Sequence, residues 1–262
     1  MIELIATGLG LITGILLGLT GAGGGIIAAP LLMLVLHVPA TQAAPISLMA
    51  VALGAGFAMV MGLREGVVRY RAAMLMAAMG LLASPLGIRL ALTLPNKPLV
   101  LAFALLLGYQ AWRQWHGTST HRDEAPSCEL NANTGRFKWN RPCARTMAGA
   151  GLAAGFLSGL LGVGGGFVLV PALRKHTPLS MHAIAATSLM TLTLVSSGGV
   201  ALWMANGGIN WRLALPFAAG TMAGIFVGRQ ASSAIEEKRL HQAFAIACLL
   251  ACVGLLAKIL AN

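Results

Sequence analysis

Two stretches decide the architecture of this chain: Gly18-Leu-Thr-Gly-Ala-Gly-Gly-Gly25, with Pro30 after it, and Gly159-Leu-Leu-Gly-Val-Gly-Gly-Gly166, with Pro171 after it. Every glycine of the first stretch and its proline recur 141 positions later, in sequence that is equally apolar. Glycine is unfavourable in a helix interior because it loses more conformational freedom on folding than any other residue. We therefore predict that each stretch breaks a membrane helix and exposes backbone amides to a substrate.

The composition predicts a membrane protein. Apolar residues make up 57% of the 262 residues and charged residues only 10%, whereas about a quarter of the residues of a soluble domain are charged. The mean hydropathy is +0.80. No Lys, Arg, Asp or Glu occurs between Leu4 and Leu63, a run long enough for more than one span of about 20 residues. A soluble enzyme is excluded, and the net charge of +11 is attributed to cations held on one face of a bilayer rather than to nucleic-acid binding.

Ten apolar segments follow one another along the chain, and the first is predicted to be a retained span because no basic region or cleavage pattern accompanies it. They cover residues 3–20, 24–37, 43–62, 71–90, 97–115, 145–161, 166–178, 182–205, 211–232 and 239–260. The second and seventh are short, and each begins at its glycine stretch. The predicted organisation is a first transmembrane repeat at 1–115, a polar loop at 116–144 and a second transmembrane repeat at 145–262.

The two repeats are predicted to be inverted copies. Further matches at the same offset include Ser47-Leu-Met with Ser188-Leu-Met, and Gly87 with Gly228. If all ten segments cross, most of the 18 Lys and Arg residues fall on one side, and only Arg89, Lys97, Arg212 and Lys258 fall on the other. The positive-inside rule then places the loop 116–144 in the cytoplasm and both termini outside. Five crossings per repeat invert the second copy, and inverted repeats with interrupted helices are typical of secondary transporters.

The glycine stretches are the predicted substrate site. A helix that starts at such a break presents unpaired N–H groups and a positive dipole end, which suit an anion. The predicted binding residues are Gly23, Gly24, Gly25, Gly164, Gly165 and Gly166, with Ser47, Thr187 and Ser188 around them and Gln42 and His182 at the starts of the same helices. The alternatives are close helix packing for the glycines and bonds to the preceding helical turn for the hydroxyls.

Other chemistry is not predicted. Gly25 and Gly166 are not followed by the Lys-Ser/Thr of a phosphate loop, no enzyme motif occurs, and no carboxylate lies inside a predicted span. No cofactor or metal is expected, since two thiols cannot fill a four-ligand zinc site. Cys128 and Cys143 flank Asn133-Thr-Gly135 and would close a small hairpin, although a disulfide is disfavoured in a cytoplasmic loop; a redox role for the pair is left open.

The duplicated glycine motif and Gly207-Gly-Ile-Asn-Trp-Arg212 resemble the TauE/SafE sulfite exporter family, over about residues 14–112 and 149–260. The resemblance implies a carrier in the bacterial inner membrane that moves sulfite, sulfoacetate or thiosulfate by exchange or ion coupling.

We therefore expect a secondary transporter that uses alternating access. Its partners would be a small sulfur oxyanion or organosulfonate and the lipid bilayer, with no nucleic acid; the oligomeric state is open, with a homodimer among the options. The alternatives are an anion channel without coupling and a membrane scaffold subunit that does not transport.

Overall fold

The structure is a computed structural model, and it describes residues 2–20, 24–115, 128, 139–206, 208–232 and 237–261. These residues form ten α-helices and no strand, so the prediction of an all-α polytopic membrane protein is confirmed. The helices are α1 (Ile2–Thr20), α2 (Gly25–Val35), α3 (Ala40–Arg64), α4 (Tyr70–Thr93), α5 (Asn96–Trp115), α6 (Arg141–Leu161), α7 (Gly166–His176), α8 (Met181–Ala205), α9 (Trp211–Ser232) and α10 (Glu237–Ala261).

Among the ten described helices, five combine the length and apolarity of a membrane span and two are much shorter than a span. In the described part of the chain, α1, α3, α4, α8 and α9 are long and apolar enough to cross a membrane on their own. Helices α2 and α7 have 11 residues each, or about 16 Å at the usual rise, which is about half of a hydrocarbon core. Both begin at a glycine stretch, as the sequence predicts.

Two parallel helix pairs with glycine-lined contacts hold the halves together. Helix α1 packs mainly against α9, and α4 packs mainly against α6. In the second pair, a Cβ added at Gly155 would overlap the backbone of Gly80; in the first pair, a Cβ at Gly14 would overlap the backbone of Thr221. Gly14 and Gly155 are equivalent in the repeat, as are Gly80 and Thr221. Each pair therefore joins one helix of the first repeat to one of the second through the same contact.

Helices α3 and α8, which are equivalent in the repeat, cross in opposite directions at the centre. A Cβ added at Gly62 would lie 3.1 Å from Ala186 Cβ, and one at Gly199 would lie 3.2 Å from Leu48 Cδ1. Later residues of α3 thus meet earlier residues of α8. Ten alternating membrane crossings require these opposite directions, because α3 would be the third crossing and α8 the eighth. If α2 and α7 did not return the chain across the membrane, α3 and α8 would run parallel. The duplication itself stays a prediction from the sequence.

The contacts define two ends of the helix bundle. At the first end, here called the loop face, Cys128 N donates to His176 O over 3.0 Å, and the connection 65–69 contacts the start of α8 through Glu65 with His182 and Arg69 with Thr187. At the opposite end, here called the terminal face, Ala40 N donates to Asn96 Oδ1 over 2.9 Å, and the last turn of α10 lies beside the end of α2. The described ends of α1 and α10 both lie at the terminal face.

Candidate functional site

At the first glycine break the chain turns back on α1. Residues 21–23 are not described, so the predicted site residue Gly23 lies outside the described residues. Gly24 has an ordinary right-handed conformation, with φ −61° and ψ −24°. A Cβ added there would overlap the backbone of Leu16 and Leu17. Helix α2 therefore starts beside the last turns of α1, and its N-terminus lies inside the protein, with Gly24 and Gly25 both buried.

The second break is built from left-handed glycines. Gly162, Gly164 and Gly165 have φ of 72°, 78° and 78°, which side chains with a Cβ rarely adopt. A Cβ at Gly165 would also lie only 2.6 Å from Ala154 O. The chain returns along α6 through these residues, and α7 starts at the buried Gly166. The N-terminus of α7 therefore lies inside the protein, as that of α2 does.

The two breaks meet at the centre of the molecule. A Cβ added at Gly25 would lie 3.2 Å from Val163 O and 2.9 Å from Val51 Cγ2. One added at Gly164 would lie 2.9 Å from Val51 Cγ1 and 3.0 Å from Leu192 Cδ2. Val51 of α3 thus touches the space beside both breaks. Val51 and Leu192 are buried and are equivalent in the repeat, a relation that the sequence contained but that we did not single out.

The Ser47 hydroxyl forms a hydrogen bond to the glycine break of the second repeat. Its Oγ lies 2.7 Å from Gly162 O and 2.9 Å from Ala44 O, so the hydroxyl donates towards two carbonyls. Its repeat equivalent Ser188 is also fully buried, but its Oγ has no hydrogen-bond partner among the described residues. The predicted proximity of Ser47 to the glycine stretches is therefore seen at the second stretch.

Thr187, by contrast, forms its hydrogen bonds at the loop face. Its Oγ1 donates to Ala183 O over 2.7 Å and accepts from Arg69 N over 3.1 Å. It therefore fixes the connection between α3 and α4 to α8. The structure does not bring it together with the glycine breaks, although it directly precedes Ser188 in the sequence.

Gln42 and His182 lie away from the breaks, at opposite ends of the bundle. Gln42 is exposed at the start of α3, at the terminal face. His182 Nε2 lies 2.7 Å from Glu65 Oε2 at the loop face, and the two side chains are 61% and 44% exposed. This pair joins the start of α8 to the end of α3 at the surface.

Two buried polar residues near the second break escaped the sequence reasoning. Gln110 of α5 donates from Nε2 to Phe167 O, in the first turn of α7, over 3.4 Å. Ser196 of α8 lies beside Gly164. Each is a polar residue in an apolar segment, and that pattern could have identified it from the sequence. The pattern does not show, however, which way the side chain points.

The two cysteines of the loop are joined. Cys128 and Cys143 form a disulfide with Cα atoms 4.8 Å apart, and both are buried at the loop face. The two cysteines therefore close this part of the chain, as the sequence suggests, whereas the cytoplasmic location that would disfavour a disulfide stays a prediction. The physical reason for their proximity is local: Cys128 N is bound to the end of α7, which lies next to the start of α6. The predicted hairpin falls outside the described residues, and within the described ranges no group of three or more His, Cys, Asp or Glu could hold a metal.

Comparisons with known proteins agree with one another. The model of the family described as sulfite exporter TauE/SafE matches residues 6–255. A probable membrane transporter protein of Xylella fastidiosa (strain Temecula1) is 29% identical over 222 residues, covering 84% of this chain and 81% of the relative. The probable membrane transporter protein YdhB of Bacillus subtilis is 26% identical over 231 residues, covering 88% and 90%. No solved structure matches the chain.

Proposed function

This chain belongs to the TauE/SafE sulfite exporter family and is a membrane transporter rather than an enzyme, and we propose that it moves small sulfur-containing anions by alternating access. Sulfite is the leading candidate, followed by thiosulfate and organosulfonates such as sulfoacetate. The observation that carries the proposal is the meeting of the two glycine breaks around Val51. The N-terminal ends of α2 and α7 both lie there, and helix N-termini attract anions through free N–H groups and the positive end of the dipole.

The arrangement of the helices supports alternating access. Broken backbone at membrane depth is tolerated when it lines a cavity or is buried in protein, and one break comes from each repeat. The main contacts join α1 to α9 and α4 to α6, so the repeats are interlocked by equivalent pairs. When two equivalent repeats surround a central site, the protein can adopt two conformations, one open to each side of the membrane, in which the repeats exchange their arrangements. The proposed movement is a rocking around the breaks that leaves the α1–α9 and α4–α6 contacts intact.

The proposed orientation places the loop face in the cytoplasm of a bacterial inner membrane and the termini in the periplasm. Its support is the count of Lys and Arg, most of which fall at the loop face or in the loop 116–144. The disulfide between Cys128 and Cys143 weighs against this orientation, because such bonds persist in oxidising compartments. The charge rule rests on many residues and the disulfide on one pair, so we retain the cytoplasmic loop. The oligomeric state is left open, with a homodimer among the options.

Proteoliposomes that contain the purified protein are expected to accumulate labelled sulfite when a pH gradient is imposed, without a requirement for sodium. The reason is that the predicted spans contain no carboxylate relay, so a protonatable anion would carry its own proton. Uptake would be measured with sulfite, thiosulfate and sulfoacetate in turn. Sodium dependence would contradict the proton coupling, flux that never exceeds equilibrium would favour the channel, and absence of flux would favour the scaffold.

Gly25→Ala is expected to lower sulfite uptake about fivefold while the protein still folds. The added methyl would lie between the two breaks, 2.9 Å from Val51 Cγ2 and 3.2 Å from Val163 O, and alanine suits the helical position. An overpacked site of this kind costs about 1–3 kcal/mol, which is less than the total stability of roughly 5–15 kcal/mol of a folded domain. The measurements are uptake and the elution profile of the purified protein in detergent.

The matched control is Gly8→Ala in α1, where an added Cβ has no atom within 4 Å. Gly24 and Gly165 are less suitable positions, because a Cβ there would overlap Leu17 N or lie only 2.6 Å from Ala154 O and would disturb packing as well as binding. Full uptake by folded Gly25→Ala protein would show that the space between the breaks is not used by the anion.

A further inference from the structure

The hydroxyl-bearing residues of α8 that are not exposed fall into two groups. Thr187, Thr191 and Thr193 donate to the carbonyl four residues earlier, over 2.7, 3.1 and 2.8 Å. This is the ordinary arrangement for a hydroxyl in an apolar helix. Ser188 and Ser196 differ, because both are fully buried and neither Oγ has a hydrogen-bond partner among the described residues. A buried hydroxyl without a partner destabilises a fold, so its presence calls for an explanation.

Ser196 points at the second glycine break. A Cβ added at Gly164 would lie 3.2 Å from Ser196 Oγ. Gly164 is two residues before the start of α7, so the hydroxyl lies beside the positive end of that helix. The other two atoms that such a Cβ would meet belong to Val51 and Leu192 and are apolar. Of the three atoms nearest to such a Cβ, the Ser196 hydroxyl oxygen is the polar one.

The first repeat has no such hydroxyl at the equivalent place. The residue that corresponds to Ser196 at the repeat offset is Ala55, which is fully buried. The two half-sites therefore differ in polarity, although their glycines match. An oxyanion at the start of α7 would find a hydroxyl donor in addition to backbone amides, and a hydrogen bond to a charged group is stronger than one between neutral groups.

We propose that Ser196 donates a hydrogen bond to an oxygen of the transported sulfur oxyanion, and that the second half-site thereby selects the substrate. This inference rests on the proposed function. In the described conformation Val51 and Leu192 cover Gly164, so the anion reaches the hydroxyl when the two breaks move apart. The helix N-terminus holds the charge, and Ser196 recognises the oxygen.

The test compares sulfite binding by the purified unchanged protein, Ser196→Ala and Ser84→Ala, using isothermal titration. Ser84 of α4 is a matched control, because it too is fully buried and its Oγ has no partner among the described residues, but its hydroxyl faces Gly199 of α8, where an added Cβ would lie 3.8 Å from Ser84 Oγ, rather than Gly164. The Kd for sulfite is expected to rise about tenfold in Ser196→Ala, as for loss of one hydrogen bond to a charged group, and to stay unchanged in Ser84→Ala.

Thermal unfolding without sulfite separates binding from structure. Ser196→Ala is expected to unfold at the same temperature as the unchanged protein or a higher one, because the substitution removes an unpaired polar atom from the interior. Ser196→Cys, which keeps a weak donor of similar size, is expected to bind with intermediate affinity.

The outcomes are distinguishable. Unchanged affinity of Ser196→Ala, beside clear binding by the unchanged protein, would overturn this inference and leave the transporter proposal standing. A lower unfolding temperature with unchanged affinity would assign the hydroxyl a structural role. Absence of binding by the unchanged protein to sulfite, thiosulfate and sulfoacetate would overturn the substrate proposal and this inference together.

Discussion

Gly155→Ala is expected to abolish the folded protein almost completely. The added Cβ would overlap the carbonyl oxygen, Cα and carbonyl carbon of Gly80, in the contact between α6 and α4. Overpacking against side chains costs about 1–3 kcal/mol, and a clash with backbone costs more because no rotamer change relieves it. The total stability of a domain is only about 5–15 kcal/mol. The measurement is the yield of monodisperse protein in detergent, followed by its thermal unfolding.

Gly149→Ala is the matched control for this substitution. Gly149 lies in the same helix, and a Cβ there has no atom within 4 Å, so its unfolding temperature is expected to stay the same or rise slightly with helix propensity. Comparable yields of Gly155→Ala and Gly149→Ala would contradict the close approach of α4 and α6. The equivalent substitution in the other half, Gly14→Ala, is expected to behave like Gly155→Ala because it would meet the backbone of Thr221.

The helices themselves could be predicted from the sequence. Apolar runs between charged residues place all ten segments close to the observed helices, because a long apolar run gains most by satisfying its backbone internally. The repeated glycines also located the two breaks. Their roles could not be separated, however: Gly155 packs helices, whereas Gly25 and Gly164 adjoin the meeting point of the breaks. This difference depends on which helix packs against each glycine, and the sequence alone does not show which helices pack together.

The side chains around the breaks show the same limit. Thr187 and Ser188 are neighbours in the sequence, yet Thr187 binds the connection at the loop face and Ser188 is buried without a partner among the described residues. Adjacent residues of a helix point about 100° apart, so proximity in sequence did not imply a shared site. Gln42 and His182 begin the helices that carry Ser47 and Ser188, and helix starts lie at the faces of the bundle rather than at its centre.

The two short helices are packed unequally, which the sequence alone could not show. Helix α2 is buried from Gly25 to Pro30 and again at Leu32 and Met33. In α7 the residues equivalent to Ile27 and Ala29 are half-buried, and those equivalent to Met33 and Leu34 are the exposed Arg174 and Lys175. Helix α10 packs along the end of α2 at the terminal face. Among the described residues, α2 is therefore covered more completely at the terminal face than α7 is at the loop face.

Lys258→Met is expected to open the terminal face. Lys258 Nζ donates to Met33 O over 2.6 Å, and so links the last turn of α10 to the C-terminal turn of α2. A cation is favourable at a helix C-terminus, and a hydrogen bond from a charged donor contributes about 1.5–3 kcal/mol. Its loss corresponds to a roughly tenfold to hundredfold shift between closed and open states. Methionine keeps much of the apolar stem, so packing against α2 is preserved.

The measurement uses Leu34→Cys, because Leu34 is covered by α10: a Cβ added at Gly254 would lie 3.0 Å from Leu34 Cδ1. A membrane-impermeant maleimide applied from the terminal face is expected to label Leu34→Cys at least tenfold faster when Lys258→Met is also present. Accumulation of sulfite is expected to fall in parallel, because a face that fails to close lets the substrate leak back. Lys258→Arg, which keeps the cation and its donors, is expected to label and accumulate like the parent. Equal labelling of the Lys258→Met and Lys258→Arg proteins would mean that the bond to Met33 does not hold this face closed, and the closure would then depend on the apolar contact of α10 with α2.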